Sequence, residues 1–460
     1  MNKQILRLAL PNIITNITVP LLGMVDIAIV GHIGNASHIG AIAIGTMIFN
    51  LIYWNFGFLR MGTSGLTAQA YGAEDWDETM RIMVRGLAIA VSVALLLILL
   101  QYPIARLCEL WIDSSENVMQ LAILYFHIRI WAAPATLGLY VLKGWFIGMQ
   151  NSQTPMWIAI IMNIINIVFS LLFVIVWKMG ITGVALGTVM AQYSGLLMAI
   201  ALWFKQYGHF RSRIDLRGSL HIDAMKRFFK VNGDIFLRTL CLVAVFTFIP
   251  AISASMGDQI LAANTLLMQL FTLFSYIMDG FAYAGESLVG RYTGAKDEPM
   301  LRKSVRYLLR WGMIITLLFT IIYYFCGEYI LAILTSDRPV IDTAMEYMTW
   351  TILVPITGFS AFLFDGIYIG ATASKSMRNI MFCGHRCLFH RLLCPCPTIG
   401  QRRFMDCLPH LPHPPRRPYV AVEREGDKGM KFYFTILVPQ AGLSSWPASV
   451  MMHSRPPCSM

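Results

Sequence analysis

The chain has 460 residues, of which 57% are hydrophobic and only 13% are charged, and its formal net charge is +11. Soluble domains carry roughly 25% charged residues, so this composition excludes an ordinary soluble protein and indicates a chain that is largely surrounded by lipid. The basic residues lie in the connections between apolar runs. That distribution is typical of membrane orientation and argues against nucleic-acid binding.

The apolar runs predict an all-α polytopic membrane protein. A helix needs about 20 apolar residues to cross the hydrocarbon core, and ten stretches meet that requirement. They lie near residues 10–31, 41–70, 86–106, 121–142, 156–177, 184–204, 235–254, 261–290, 311–333 and 345–370.

Lys and Arg are concentrated on alternate connections between these spans. Lys3 and Arg7 precede the first span, and the most basic connection, 205–230, follows the sixth. By the positive-inside rule, this alternation places the N-terminus in the cytoplasm. It predicts a multi-pass protein of a bacterial-type inner (plasma) membrane.

The first span contains Asp26, within the segment LLGMVDIAIVG. An ionisable group at the bilayer centre costs on the order of 2.5–3.5 kcal/mol on insertion scales, and a carboxyl in an apolar cavity can exchange a proton for a cation. We therefore predict a coupling role for Asp26. The alternative is a structural group that is neutral or paired with Arg60 of the second span. Arg60 itself is interpreted either as a counter-ion or as a side chain that snorkels to the inner face.

Three further spans carry polar side chains that could line a cavity. Asn166 and Ser170 in the fifth span project at helical spacing, where they either hydrogen-bond to neighbouring helices or, if they face water, act as ligands. In the eighth span, Asp279 and Glu286 are seven residues apart and share one helix face. Asp365 lies near the inner end of the tenth span.

Asp234 and Arg238, at the start of the seventh span, are four residues apart. This spacing favours a local ion pair on one helix face, and we expect them to bond to each other.

The chain also repeats itself at a shift of 222 residues. The segment YGAEDWDETMR at 71–81 returns as TGAKDEPMLRK at 293–303, and KGWFIGMQNSQ at 143–153 aligns with DGIYIGATASK at 365–375. Since six spans lie within one period, the two copies enter the membrane in the same direction, which is a transporter architecture. We expect two parallel six-helix bundles, divided into an N-terminal bundle at 1–204, a basic cytoplasmic linker at 205–230 and a C-terminal bundle at 231–381.

The second copy is interrupted after residue 381. Spans equivalent to the fifth and sixth should occupy 379–426, but prolines and charges interrupt every apolar run there. The last 78 residues hold 11 of the 20 prolines, 6 of the 9 cysteines and 5 of the 10 histidines. We interpret 382–460 as an aberrant Pro/Cys/His-rich tail, frameshifted or disordered, that does not span the membrane. The alternative is a zinc site in CGHRCLFHRLLCPCP at 383–397, whose ligand types fit but whose spacing is not a pair of C-x-x-C units.

The combined motifs resemble one transporter family. LPNI at the start, VDIAIVGHIG, GLTAQAYGA and GWFIGMQNSQTP in the first half, with DIFLRTL, DGFAYAGE and DGIYIGATASKSMRN in the second, are similar to the multidrug and toxic compound extrusion (MATE) exporters of the DinF-like branch. The resemblance covers roughly residues 1–381. It implies cation-coupled antiport of amphipathic, often cationic compounds by alternating access, driven by protons or sodium.

The resemblance also implies roles for individual residues. The first-span protonation site of the family falls on Asp26, and a sixth-span threonine falls on Thr188. The Asn-x-x-x-Asp of the fifth span falls on Asn166 and Ser170, so the second carboxylate is absent and the coupling depends on Asp26. Some relatives bind a cation through an acidic residue of the tenth span, for which Asp365 is the candidate.

These observations predict a transporter and not an enzyme, because no cluster of nucleophile, base and metal ligands precedes the tail. We expect no cofactor beyond the coupling proton or sodium ion, and as partners small amphipathic or cationic substrates and membrane lipids, without nucleic acid. We also expect a monomer. Two alternatives remain: a flippase for lipid-linked precursors, and a chain that is inactive because the last two spans are lost.

Overall fold

The computed structural model describes residues 1–31, 36–112, 114–255, 257–379, 420–424 and 430–434. Long helices dominate these residues. Residues 130–132 and 208–213 form 3-10 turns, and 172–176 form a π-helical turn. The α-helices are α1 (Asn2–Gly31), α2 (Ala36–Asn55), α3 (Phe58–Gly72), α4 (Trp76–Leu99), α5 (Gln101–Trp111), α6 (Glu116–Arg129), α7 (Ala133–Gly148), α8 (Gln153–Leu171), α9 (Gly180–Tyr207), α10 (Leu216–Ser219), α11 (Ile222–Ser255), α12 (Asp258–Gly294), α13 (Glu298–Leu334) and α14 (Arg338–Gly370).

The all-α membrane architecture predicted from the sequence is confirmed. Eight helical stretches among the described residues are long and apolar enough to cross a membrane. The first and seventh predicted spans correspond to α1 and α11, helices of 30 and 34 residues. The total of ten spans stays a prediction. Outside the helices, β1 (Val420–Arg424) and β2 (Met430–Phe434) pair as an antiparallel ribbon within the tail. The proposed zinc site at 383–397 lies outside the described residues.

Three of the predicted spans consist of two helices each, and one of them, 86–106, is divided between α4 and α5 at Leu100. The span at 41–70 is divided between α2 and α3 by a turn at residues 56–57, and the span at 121–142 is divided between α6 and α7 by a 3-10 turn at 130–132. Gly57 precedes α3, and a proline occupies the first turn of α7, where its missing N–H leaves no bond unmade. Both features are consistent with a local break in an otherwise continuous span.

The 222-residue repeat is visible in the local geometry of the turns. Asp75 accepts a hydrogen bond from the Glu78 amide at the start of α4, and Asp297 accepts one from the Met300 amide at the start of α13. In both turns the residue before the aspartate has a positive φ, 59° in the first half and 56° in the second. The two copies therefore fold alike, which agrees with the parallel repeat that the sequence predicts.

The two copies meet where α3 crosses α12. A Cβ atom on Gly72 would lie 1.8 Å from the Arg291 carbonyl oxygen, and a Cβ on Gly294 would lie 1.9 Å from that of Gln69. Gln69 and Gly72 are the 222-residue counterparts of Arg291 and Gly294, so the contact is reciprocal. We call these four residues the glycine crossing. Only glycine allows the two backbones to approach so closely.

Each half has its own apolar core beside this crossing. In the first half, Phe49 stacks on Phe126 at 5.3 Å between ring centroids. In the second, Phe274 packs edge-on against Phe319 at 5.6 Å, and the Tyr323 hydroxyl donates to the Leu270 carbonyl oxygen. Many large apolar side chains on the outer faces are exposed instead, as expected where lipid replaces water.

The basic linker lies against the start of α4. Arg213 pairs with Asp77 at 2.8 Å, and Arg81 pairs with Asp215 at 3.4 Å. Arg85 donates to the Ser219 carbonyl oxygen at 2.8 Å. The linker thus covers one end of the first half, while the predicted domain boundaries at 204, 230 and 381 stay predictions.

Candidate functional site

Six ionisable side chains gather where α3 meets the helices of the second half. Each lies in a predicted span or at its end, and together they hold three positive and three negative formal charges. We call this group the charged cluster. It consists of Arg60 on α3, Lys143 on α7, Arg238 on α11, Asp279 and Glu286 on α12, and Asp365 on α14.

The central contact of the charged cluster joins the two halves. Arg60 Nη1 lies 3.3 Å from Glu286 Oε2, and the two side chains are 13% and 1% exposed. The Arg60 guanidinium also lies over the Tyr283 ring, 4.1 Å from its centroid. Arg60 Nη2 makes no hydrogen bond within the described residues. Removing either partner of such a buried pair leaves an uncompensated charge.

A second ion pair connects α11 to α14. Arg238 Nη2 lies 2.7 Å from Asp365 Oδ2, with side chains 12% and 21% exposed. The predicted local pair between Asp234 and Arg238 is therefore wrong. Asp234 instead lies 2.6 Å from Arg378 Nη1 and accepts a hydrogen bond from the Ser374 hydroxyl at 2.9 Å. Helix packing supplies partners from α14 and the segment after it, and these replace the neighbour on the same helix.

Asp279 and Lys143 complete the charged cluster. Asp279 lies within electrostatic range of Asp365, Arg238 and Arg60. Lys143 lies close to Arg60, a like charge. The face of α12 that carries Asp279 and Glu286 is thus turned toward the other half, as their seven-residue spacing indicated.

Three other predicted site residues, Asn166, Ser170 and Thr188, lie on α8 and α9 and are not part of the charged cluster. Asn166 and Ser170 are buried on α8, and Ser170 packs against α9, where a Cβ on Gly187 would lie 2.6 Å from its hydroxyl oxygen. The adjacent Thr188 donates to the Val184 carbonyl oxygen at 3.1 Å. These three residues therefore form a second polar group, on the contact between α8 and α9.

α1 lies along the first part of α8. The Asn12 amide donates to the hydroxyl of Ser152, the residue before α8, at 3.1 Å, and the Asn163 amide donates to the Thr18 carbonyl oxygen at 3.2 Å. The side chain of Asp26 lies outside the described side chains, and the described partner of Arg60 is Glu286.

Three residues of the site, Arg238, Lys143 and Tyr283, were not predicted as site residues from the sequence. Arg238 and Lys143 had a signal, because each is a cation in an apolar segment, but only local partners were considered for Arg238. Tyr283 had no such signal in the sequence, because an aromatic residue in a span usually serves only in packing or faces lipid. Its position over Arg60 follows from the packing of α3 on α12.

Comparison with known proteins identifies the family. The MatE family model matches residues 11–172 and 235–395, which is one match in each half and more than half of the chain. The chain belongs to the MATE family.

Relatives of this MATE protein include DNA damage-inducible protein F of Escherichia coli K12. The two are 38% identical over 387 residues, which cover 83% of each chain. A more distant relative is the probable multidrug resistance protein NorM of Acinetobacter baylyi, 22% identical over 348 residues that cover 75% of this chain and 77% of the relative.

Solved structures share the fold. An outward-facing multidrug resistance MATE family transporter of the MOP superfamily superimposes with a TM-score of 0.75 at 17% identity, over 83% of this chain and 85% of that one. The Vibrio cholerae MATE transporter VcmN in its bent form gives 0.73 at 19% identity, over 83% and 86%. The chain is therefore a multi-pass membrane protein of MATE architecture, and the matched family is one of transporters and not of enzymes.

Proposed function

We propose that this MATE protein is a secondary active multidrug exporter that couples the inward flow of protons or sodium ions to the expulsion of amphipathic, cationic organic compounds. The observation that carries the proposal is the match of the family model to both halves of the chain. The name of the Acinetobacter relative, a probable multidrug resistance protein, supports the substrate class. The N-terminus is proposed to be cytoplasmic, because Lys and Arg alternate between connections. The membrane is proposed to be a bacterial inner membrane, in keeping with the relative from Escherichia coli.

The coupling step is assigned to Asp26. An ionised carboxylate in an apolar wall attracts a cationic substrate, and a proton or sodium ion that neutralises it removes that attraction. α1 packs along α8, and the polar atoms of Asn166 and Ser170 on α8 would support the ion. One proton moving down one pH unit supplies about 1.4 kcal/mol, enough for a tenfold substrate gradient.

Alternating access is assigned to the contact between α3 and α12. The glycine crossing joins the ends of these helices, and the pair Arg60–Glu286 lies deeper along them, about three turns before Gly72 and about two turns before Gly294. Opening toward this end requires the buried pair to separate or to find new partners. Binding of substrate and ion would provide the free energy for that exchange.

The three cations of the charged cluster give little support to the flippase alternative. Arg60 and Arg238 are paired with carboxylates, so they are not available to hold the diphosphate of a lipid-linked precursor. A diphosphate site would need cations in excess of acids.

Transport in liposomes tests the proposal. The full chain is reconstituted, a pH or a sodium gradient is imposed, and the efflux of a fluorescent lipophilic cation is followed. We expect gradient-driven efflux that Asp26→Asn reduces at least tenfold. The matched control is Asp342→Asn, which changes an exposed carboxylate near the start of α14 and should leave efflux unchanged.

Two outcomes would contradict the proposal. Efflux that Asp26→Asn leaves intact would remove Asp26 from the coupling step. A correctly folded full chain that moves no cation under either gradient would remove the exporter function from this chain, in line with the alternative that it is inactive. The choice between protons and sodium follows from which gradient drives efflux.

A further inference from the structure

A basic groove lies on the N-terminal part of α13, outside the charged cluster. Its volume is about 480 Å³. No acidic side chain lines it, and four of its six lining residues are cations. They are Pro299, Arg302, Lys303, Arg306, Tyr307 and Arg310.

Most of this positive charge is not neutralised by the residues that the structure describes. Arg302 pairs with Glu298, one turn earlier on α13. Lys303 and Arg306 form no ion pair within the described residues, and Arg310 lies 5.3 Å from the centroid of the Tyr307 ring. The groove therefore presents about three uncompensated positive charges, a surface that favours an anion.

The groove continues into the lipid-facing surface of the same helix. Beyond Arg310, α13 exposes Ile314 at 53%, Leu317 at 51% and Ile321 at 54% on the same side. From Arg310 to Ile321 the helix rises about 16 Å, close to half of the roughly 30 Å hydrocarbon core. A cationic pocket followed by one leaflet's depth of exposed apolar surface matches a phospholipid, with its headgroup at one end and its acyl chains along the helix.

On the equivalent surface of the first half, carboxylates of the same chain neutralise the positive charge. Arg81 and Arg85 on α4 occupy the positions equivalent to Lys303 and Tyr307. Arg81 pairs with Asp215 of the linker, and Arg85 pairs with Glu78 at 2.8 Å. There the chain provides its own carboxylates, whereas the described residues provide none to Lys303 or Arg306 on α13.

We propose that the groove binds an anionic phospholipid of the inner leaflet, with its phosphate against Lys303, Arg306 and Arg310 and its acyl chains along the exposed face of α13. The leaflet rests on the topology proposed above. This end of α13 lies on the same side as the N-terminus, because Trp311 Nε1 donates to Asn2 Oδ1 at 3.2 Å. The binding itself does not depend on transport.

Lipid retention on the purified full chain tests the proposal. Binding of phosphatidylglycerol and of phosphatidylcholine is titrated in detergent and counted by native mass spectrometry, for the wild type and for the triple variant Lys303→Gln/Arg306→Gln/Arg310→Gln. Each cation near a lipid phosphate contributes a factor of about five, so the triple variant should bind phosphatidylglycerol about 100-fold more weakly. The matched control is Lys205→Gln/Arg211→Gln/Lys226→Gln, which removes three exposed cations around the linker and should change the affinity less than threefold.

Three results would overturn the proposal. The first is equal affinity of the wild type for the anionic and the zwitterionic lipid, or a loss of less than fivefold in the triple variant when its thermal unfolding is normal. The second is competition by millimolar glycerol phosphate, which would indicate a general anion site. The third is a zero-length crosslink between Lys303 and an acidic residue of the same chain, which would assign the groove to protein. None of these results bears on the efflux test of Asp26.

Discussion

The glycine crossing and the charged cluster lie on the same two helices, but only the first follows the internal repeat. At the crossing, Gly72 and Gly294 exchange places under the 222-residue shift, and so do the carbonyls of Gln69 and Arg291 that they approach. Each half therefore packs its glycine against a backbone carbonyl of the other half in the same way. The crossing is a product of the repeat itself.

The charged cluster breaks that symmetry at four of its six ionisable positions, whose counterparts carry no charge. The counterpart of Arg60 is Ala282, and the counterpart of Glu286 is Ser64. Only Lys143 and Asp365, which are counterparts of each other, keep a charge in both copies, and the sign is reversed. The repeat therefore builds the scaffold, and the charges are added by substitutions that the two copies do not share.

The largest loss of stability is expected from a substitution at the glycine crossing, the symmetric region. Gly294→Ala adds a Cβ atom 1.9 Å from the Gln69 carbonyl oxygen, so the helices must separate, and we expect a loss of about 3 kcal/mol or more. Gly72→Ala should behave alike because the contact is reciprocal. The measurement is folded yield and thermal unfolding by fluorescence-detected size exclusion.

Gly233→Ala is the matched control for this prediction. It lies within α11, and nothing lies within 4 Å of its added Cβ. Because alanine favours helix by about 1 kcal/mol over glycine, this variant should be neutral or more stable. Normal yield of Gly294→Ala would show that the crossing tolerates a wider separation than the structure has.

The next largest loss of stability is expected from a substitution in the charged cluster, the asymmetric region. Glu286→Gln leaves the Arg60 guanidinium buried without its counter-charge, and removing one partner of a buried pair costs about 3 kcal/mol. Glu298→Gln is the control, because its pair with Arg302 is exposed and contributes about 1 kcal/mol or less. Thermal unfolding in detergent measures both.

The double variant Arg60→Met/Glu286→Met separates stability from function. It replaces the pair by apolar side chains and should recover most of the stability that Glu286→Gln loses. If the pair serves alternating access, efflux should remain low in this folded variant. Wild-type efflux from it would remove the pair from the transport cycle.

The smallest loss of stability is expected at two hydrogen bonds that occupy equivalent positions in the two halves. Asn12 donates to the Ser152 hydroxyl at 3.1 Å, and 222 residues later the Ser374 hydroxyl donates to Asp234 at 2.9 Å. A bond to a charged group contributes more than a neutral one, so Ser374→Ala should cost about 2 kcal/mol and Ser152→Ala about 1 kcal/mol. Equal losses in thermal unfolding assays would show that the charge of Asp234 adds nothing.

The helices and the repeat could be predicted from the sequence because both produce regular patterns within short segments of the chain. Apolar length gives the spans, and two related turns, each with a capping aspartate, give the 222-residue shift. The seven-residue spacing of Asp279 and Glu286 was also enough to place them on one face. These features depend on neighbouring residues alone.

Ion-pair partners could not be predicted in the same way. The spacing of Asp234 and Arg238 allows a local pair, but each finds a partner contributed by the chain between residues 365 and 378. Which partner is used depends on how α11 packs on α14, and a single sequence holds no direct signal for that packing. The same applies to the Tyr283 ring beneath Arg60.

The reciprocity of the glycine crossing bears on the origin of the chain. Two identical subunits related by a twofold axis make self-complementary contacts, in which residue i of one touches residue j of the other and the reverse. Gln69 with Gly294 and Arg291 with Gly72 have that form within one polypeptide. A half-length ancestor could close the same seam as a homodimer, and fusion of its duplicated gene would then leave each copy free to diverge.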